Sequence, residues 1–264
     1  VFLTGAITIL LISPIVFMFM TSLKPNAEIF EIPPKFFPTK PTYEIYRQVL
    51  EDSDYLRFFR NSYIISFSVA ILCVILSLFG GYGFSRYNIK GANYLLVISL
   101  VIQMFPGMAK VIPYFDMFQQ LNLYDTYTAL ILAHASFALP FSLWMMKSYI
   151  DTIPPDLEEA AAVDGATRVQ ALLKVVAPLT LPGVIAVAIQ AFLWSWNEYL
   201  FALILTKGPE KGPITLGIGF FFGEFVINWN SIMAVAVLSS VPLILIFIFA
   251  QRFLVEGITA GAVK

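Results

Sequence analysis

Residues 61–85 read NSYIISFSVAILCVILSLFGGYGFS, a run with no Asp, Glu, Lys or Arg, closed by Arg60 on one side and Arg86 on the other. A bilayer core of about 30 Å needs roughly 20 residues of helix at about 1.5 Å each. In hydrocarbon the backbone N–H and C=O groups must pair within the segment or in a closed barrel. The run is continuously apolar, not alternating, so a barrel strand is excluded and a spanning helix remains. Five further uncharged runs, 1–23, 91–109, 126–146, 175–197 and 225–251, are each flanked by charge. The expected fold is therefore all-α: a polytopic membrane protein with six transmembrane helices, at about 2–23, 61–86, 93–118, 126–147, 178–206 and 229–252. One transmembrane domain, 1–264, holds them all. Composition agrees, since 59% of the 264 residues are hydrophobic and 12% charged, whereas soluble domains are about half apolar or less.

Composition also excludes several functions. A net charge of −1 with no Lys/Arg cluster gives no nucleic-acid patch. Cys73 is the one cysteine and His134 the one histidine, so neither a disulfide framework, a thiolate metal site nor a multi-histidine metal site can form within the chain. Cys73 reads as a small packing residue. No G-x-x-x-x-G-K-[S/T] phosphate loop is present. Gly80-Gly81-Tyr82-Gly83 lies inside a span and lacks the Lys, so close helix packing accounts for it better. No cofactor is expected in this chain. The first run is followed by Thr21-Ser22-Leu23-Lys24 without a small-residue cleavage site, which reads as a retained span.

The connections carry the next level. Residues 24–60 are polar, with Pro33, Pro34, Pro38 and Pro41 opposing regular structure. Thr42 is placed to cap a short amphipathic helix with Tyr43, Tyr46, Val49 and Leu50 on one stripe. Residues 207–224, rich in Gly and Pro, read as an exposed, flexible contact. Lys and Arg in the short connections favour an internal N-terminus, but the first loop carries six Lys/Arg against six Asp/Glu, and charge alone leaves orientation open.

Residues 151–178, DTIPPDLEEAAAVDGATRVQALLKVVAP, are where chemistry becomes legible. Pro154 and Pro155 suit a helix start, and Asp156, Glu158 and Glu159 place negative charge at its positive end. Ala160, Ala161 and Ala162 favour helix and let another surface approach. Gly165 can take positive φ and end that helix; Thr167 can cap a second one running to Pro178. Two short helices at an angle, held outside the bilayer, make a docking element for another protein.

Glu159-Ala160-Ala161, then Gly165, then Val175-Val176-Ala177-Pro178 resembles the EAA loop of permease subunits in ATP-binding-cassette importers. Val175 stands where Ile is common and Ala177 where Leu is common. The phrase 158–167 is most similar to the carbohydrate branch, of maltose and trehalose type. Asn61-Ser62, Met104-Phe105-Pro106 with Pro113 (expected to break the third span), Ala138-Leu139-Pro140, Trp196-Asn197-Glu198 and the ending GITAGAVK at 257–264 add to the likeness. The resemblance implies a type I importer permease fold in a prokaryotic cytoplasmic membrane, with both termini and the 151–178 coupling loop cytoplasmic. It implies a second, similar permease, two ATPase subunits that hold ATP and Mg, and an extracytoplasmic solute-binding protein delivering a sugar. It assigns ATPase coupling to Glu158, Glu159, Ala160, Ala161, Asp164, Gly165 and Pro178, with Glu159 as the polar anchor. The 207–224 loop would face the binding protein, and the tail would reach the ATPases. A transport subunit of this kind is not an enzyme.

Candidates for the translocation path are Lys110, Trp196, Asn197, Glu198 and Tyr199. Trp194 and Trp196–Tyr199 read either as an interfacial aromatic belt or as a path lining suited to sugar rings and hydroxyls. Lys110 either faces the pore, favouring an acidic sugar or pairing with Glu198, or snorkels to the outer interface. His134 reads as a packed or cavity-lining residue rather than a proton relay. The alternative from another class is a secondary transporter or channel working without ATP. Paired intramembrane carboxylates or an inverted repeat would mark it, and neither is evident.

Overall fold

The computed structural model describes residues 2–221 and 228–262, and its regular elements there are helices. Four are long and apolar enough to cross a membrane: Leu3–Ser22, Ser53–Arg86, Tyr127–Ile150 and Trp229–Phe249. Two pairs qualify jointly but are bent, Ala92–Gln103 with Gly107–Gln120 by 99° and Arg168–Leu179 with Leu181–Trp196 by 81°. Among the described residues that makes four candidate crossings, or up to six if each bent pair is one span. The third span is interrupted, as Met104-Phe105-Pro106 led one to expect, and the fifth, expected as one helix, is bent near its start. Pro106 sits at the first break; Pro113, expected to break the span as well, lies inside a continuous helix.

The chain divides into two compact units. The first comprises residues 1–61 and 208–245. It holds α1 (Phe2–Ser22), α2 (Asn26–Ile29), α3 (Glu44–Glu51), the start of α4 (Ser53–Arg86), α13 (Ile214–Gly219) and the start of α14 (Trp229–Ala262). Residues 3–17 of α1 are exposed on every face, as a lipid-facing or partner-facing helix should be. Apart from the short α2, the proline-rich 24–42 segment is irregular and is tied down by side chains. Lys24 Nζ donates to the Lys35 carbonyl, and Glu28 Oε1 accepts from the Thr39 amide at 2.5 Å and hydroxyl at 2.7 Å. Thr42 Oγ1 accepts from the Glu44 amide at 3.2 Å, capping α3 from one residue further out than a regular cap. Of the expected α3 stripe, Val49 is buried and Tyr46 half-buried, while Tyr43 and Leu50 are exposed.

The 208–219 connection corrects the reading of an open, flexible loop. Asn61 is wholly buried, and its Nδ2 faces the carbonyls of Pro209, Glu210 and Gly212 at 3.0, 3.2 and 2.9 Å. Ile214, Leu216 and Gly217 are buried, and a Cβ on Gly217 would come within 2.6 Å of Phe58. Backbone carbonyls shielded from water need donors, and the two N–H groups of one amide side chain are shared among these three. Residues 222–224 of that loop lie outside the described residues.

The second unit comprises residues 62–207 and 246–264. It holds most of α4, α5 (Ala92–Gln103), α6 (Gly107–Gln120), α7 (Tyr127–Ile150), α8 (Asp156–Val163), α9 (Arg168–Ala171), a π-helical turn at Leu172–Val176, α10 (Ala177–Leu179), α11 (Leu181–Trp196) and α12 (Leu200–Leu205). Small residues let its helices approach. Gly80 faces Leu143, Gly81 faces the Lys147 backbone nitrogen, and a Cβ on Gly183 would lie 2.5 Å from Tyr149 Cγ. In lipid such close backbone approach replaces the hydrophobic drive that water would give. Helix α14 continues to Ala262; Val263 and Lys264 of the tail assigned to the ATPases lie outside the described residues.

Candidate functional site

Two places in the second unit bring the sequence-predicted residues together: an elbow at 151–180, and a cavity beside the break between α5 and α6.

At the elbow, α8 starts behind Pro155 with Asp156, Glu158 and Glu159 in its first turn, where carboxylates meet the positive helix end. Gly165 has φ +86°. The Gly165 amide donates to the Ala162 carbonyl at 3.0 Å and the Ala166 amide to that of Ala161 at 2.9 Å, the paired bonds of a Schellman stop. Thr167 and Gln170 then exchange bonds in a capping box at 3.3 and 2.8 Å, so the second limb begins two residues after the first is terminated. That limb passes through the π turn at Leu172–Val176, which re-spaces the backbone bonds just before Pro178. Proline supplies no N–H to the ladder, and a wider turn accommodates the gap. Thr180 donates its hydroxyl to the Val176 carbonyl at 2.9 Å, and Pro182 opens α11, at the point where the chain turns by 81°.

The two adjacent glutamates have opposite environments. Glu158 is buried, accepting from the Tyr82 hydroxyl at 2.6 Å on one oxygen and from Arg86 Nε at 2.6 Å on the other. Arg86 also donates to the Ile153 carbonyl at 2.8 Å and to Ser85 Oγ at 3.1 Å. Ser85 in turn donates to Asp151 at 2.6 Å, and Lys147 bonds the other oxygen of Asp151 at 2.6 Å. The end of α4 is thereby riveted to the elbow by charge-assisted bonds, the strong kind. Glu159 is exposed, as are Ala160, Asp164, Gly165 and Pro178, with Ala161 half-buried. Leu157, Val163 and Val169 expose apolar side chains, Val163 to 88%. A cavity of about 370 Å³ opens between Arg86, Glu158, Glu159, Ala162 and Arg168. The clamp was not legible beforehand; the signal available was an Arg ending an apolar run opposite an acidic helix start.

At the break, α5 ends at Gln103 and Pro106 leads into α6. Glu198 terminates the break after α11, accepting from the amides of Phe201 at 3.0 and 3.1 Å and of Ala202 at 3.2 Å. His134 is buried, with Nδ1 2.9 Å from Ser195 Oγ, and Ser66 donates to that same oxygen at 3.3 Å. His134 Nε2 lies 3.2 Å from Glu198 Oε2 without the alignment of a hydrogen bond. The expected Lys110–Glu198 pair is not formed. Lys110 Nζ donates to the Ile102 carbonyl at 2.8 Å, which Pro106 cannot engage, and sits 4.7 Å from the Phe137 ring centre. Trp196 is buried against Tyr63 and Phe192, at 5.0 and 5.4 Å between ring centres, so its ring belongs to the packed interior. Asn197 and Tyr199 are exposed, Asn197 donating to the Leu193 carbonyl at 2.8 Å. Trp194, half-exposed, lines the cavity with His134 and Glu198.

The chain thus combines helices long and apolar enough to cross a membrane with an Ala-lined elbow whose outer face exposes Leu157, Val163, Val169 and Glu159. Residues 73–260 match the family profile of the binding-protein-dependent transport system inner membrane component, and the chain belongs to that family. It is a multi-pass transport component, not an enzyme. It is 36% identical over 262 residues to the sulfoquinovosyl glycerol transport system permease protein of Agrobacterium fabrum, covering 98% of this chain and 92% of that one. It is 35% identical over 228 residues to the trehalose/maltose transport system permease protein of Thermococcus litoralis, covering 85% and 82%. In fold it is similar to a chain of a bacterial ABC transporter involved in the import of the acidic polysaccharide alginate. The TM-score there is 0.81 at 24% identity, over 95% of this chain and 93% of that one.

Proposed function

We propose that this chain is one of two permease subunits of an ATP-driven sugar importer, spanning the membrane six times with its termini and elbow in the cytoplasm. The observation that carries the reading is the elbow, a docking surface that is rigid within and unsatisfied without. Gly165 and the Thr167 capping box fix its shape, while Leu157, Val163 and Glu159 face outward. An ATPase subunit covers that face, with Glu159 as polar anchor and Ala160, Ala161, Asp164 and Gly165 allowing close approach. Glu158 acts from inside, holding the elbow to α4 so that closure of the ATPases moves the spans. Pro178 sets the turn from elbow to membrane. ATP and Mg are held on the ATPase chains, since this one has no phosphate loop.

The sugar class follows from the relatives' names, and an extracytoplasmic binding protein delivers the solute. Binding of the loaded protein outside and of ATP inside favours the outward-open state, each by its differential affinity for the two states. Asn197, Glu198, Tyr199 and Lys110 lie near the path; Trp196 acts on it through packing. The test is reconstitution with the partner permease, the ATPase and candidate binding proteins, reading which sugar stimulates ATP hydrolysis and uptake together. Uptake that persists without an ATPase, or labelling that places Glu159 on the outer face, refutes the proposal.

A further inference from the structure

Residues 24–42 close on themselves at the end of α1, with the Thr42 amide donating to the Leu23 carbonyl at 2.9 Å. The loop between is packed inside out. Its ions turn inward: Lys24 and Glu28 are 4% and 7% exposed, Lys24 donating to the Lys35 carbonyl and Glu28 accepting from the Thr39 hydroxyl. Its large apolar side chains turn outward, with Phe30 65%, Ile32 95%, Phe36 45% and Phe37 67% exposed. In water that arrangement costs free energy on both counts. The charged side chains within 30–37, Glu31 and Lys35, bond each other at 2.8 Å, so the pair can rise together to headgroup level. One ring contact sets the height of the loop. The Phe36 ring lies 5.8 Å from that of Phe17, which stands five residues before the end of α1 at Ser22. That is about 7.5 Å back along the helix axis. Lys24 Nζ is 6.0 Å from the same Phe17 ring, and Phe37 packs edge-on against Phe36 at 5.1 Å. Having left the span, the chain folds back beside it, level with a side chain of the apolar run.

We infer that residues 30–37 form a membrane anchor, in which Phe30, Ile32, Phe36 and Phe37 dip into the headgroup–acyl boundary of the leaflet where α1 ends. Interfacial elements of this kind sit about 5–10 Å deep, which matches the level of the Phe17–Phe36 contact. The inward bonds of Lys24 and Glu28 hold the apolar side chains in their outward pose. The anchor fixes the depth at which α1 ends, a helix whose residues 3–17 the rest of the chain leaves exposed. The inference depends on neither the solute nor the orientation; with the N-terminus cytoplasmic, the leaflet is the outer one.

The full chain, purified into nanodiscs with its bound subunits made cysteine-free, tests it by nitroxide depth measurement. Cys73→Ala removes the native thiol, and Ile32→Cys or Phe37→Cys carries the label. Glu51→Cys is the reference, on a side chain 64% exposed beside the polar start of α4. Labels at 32 and 37 are expected to collide with dissolved oxygen, which concentrates in lipid, in preference to a water-soluble nickel chelate; the label at 51 should show the reverse. Phe30→Ser with Phe37→Ser leaves the Phe36–Phe17 contact in place. Each ring removed should cut the lipid-to-water ratio of the label at 32 by about tenfold. Equal nickel access at 32, 37 and 51 overturns the inference. So does shielding of 32 and 37 from both collision partners, as against another protein, or shielding that appears only when a solute-binding protein is added. A label at 32 that stays in lipid unchanged in the double variant also overturns it. ATP-driven uptake by the Cys73→Ala protein tests the importer reading separately.

Discussion

Removing Glu158 should loosen the coupling loop without unfolding the spans, and the structure sets the size of the effect. The carboxylate takes two bonds of 2.6 Å from Tyr82 and Arg86, with the Arg86 and Glu158 side chains 10% and 7% exposed. Removing one partner of a buried pair costs about 3–5 kcal/mol, because the other charge stays buried. Here the neighbouring cavity lets water reach Arg86, and Arg86 keeps its bonds to Ile153 and Ser85, so the lower end, about 3 kcal/mol, applies to Glu158→Ala. Glu158→Gln keeps the shape and loses one charge-assisted bond, about 1.5–3 kcal/mol. The assay is a double-mutant cycle of Arg86→Ala and Glu158→Ala, read by thermal inactivation of the reconstituted importer and by sugar imported per ATP hydrolysed. A coupling energy of about 2 kcal/mol and a lowered transport ratio are expected. Glu159→Ala should leave the inactivation temperature unchanged and weaken ATPase association instead. Wild-type behaviour of Glu158→Ala in both assays, or coupling below about 0.5 kcal/mol, would refute the idea that this carboxylate joins the elbow to α4.

Gly165→Ala places a Cβ in open space but at φ +86°, so it should cost roughly 1–2 kcal/mol through the backbone alone, with Gly165→Asn milder; faster amide exchange across 160–167 is the readout. Asn61→Ala strips three carbonyls of their shared donor and should cost about 1–3 kcal/mol, seen as new proteolytic cleavage within 208–213. The amide and hydroxyl of Thr39 hold the Glu28 carboxyl below its ordinary value of 4.5. A depressed folded value gives stability that is present above the unfolded value and lost as pH falls through the folded one. Acidification below about pH 4 should therefore speed exchange at the Thr39 amide, and Glu28→Gln should abolish that acid step.

The local signals were readable and the distant ones were not. Gly165 and Thr167 announce their helix ends because a Schellman stop and a capping box involve residues within five positions. Which of Glu158 and Glu159 turns inward is decided by Tyr82 and Arg86, more than 70 residues away, and neighbours on a helix differ by about 100° whatever their identity. The 208–219 connection looked loose because Gly and Pro dominate it; its order comes from Asn61, 148–151 residues distant. Helix α4 begins at Ser53, eight residues before the uncharged run, because polar turns outside the hydrocarbon carry no hydropathy signal. The interruption after Trp196 was hidden for the opposite reason. Glu198 finds its partners in the amides of Phe201 and Ala202, which no apolar average reports.

The corner at Thr180 has a mechanical result. A thrust delivered along the axis of the elbow's second limb meets α11 after a turn of 81°, so only its cosine, about one-sixth of the stroke, survives lengthwise along α11. Nearly all of it arrives broadside. Under such a thrust helix α11 would swing like a door pushed near its hinge, and little of the stroke would drive it as a piston.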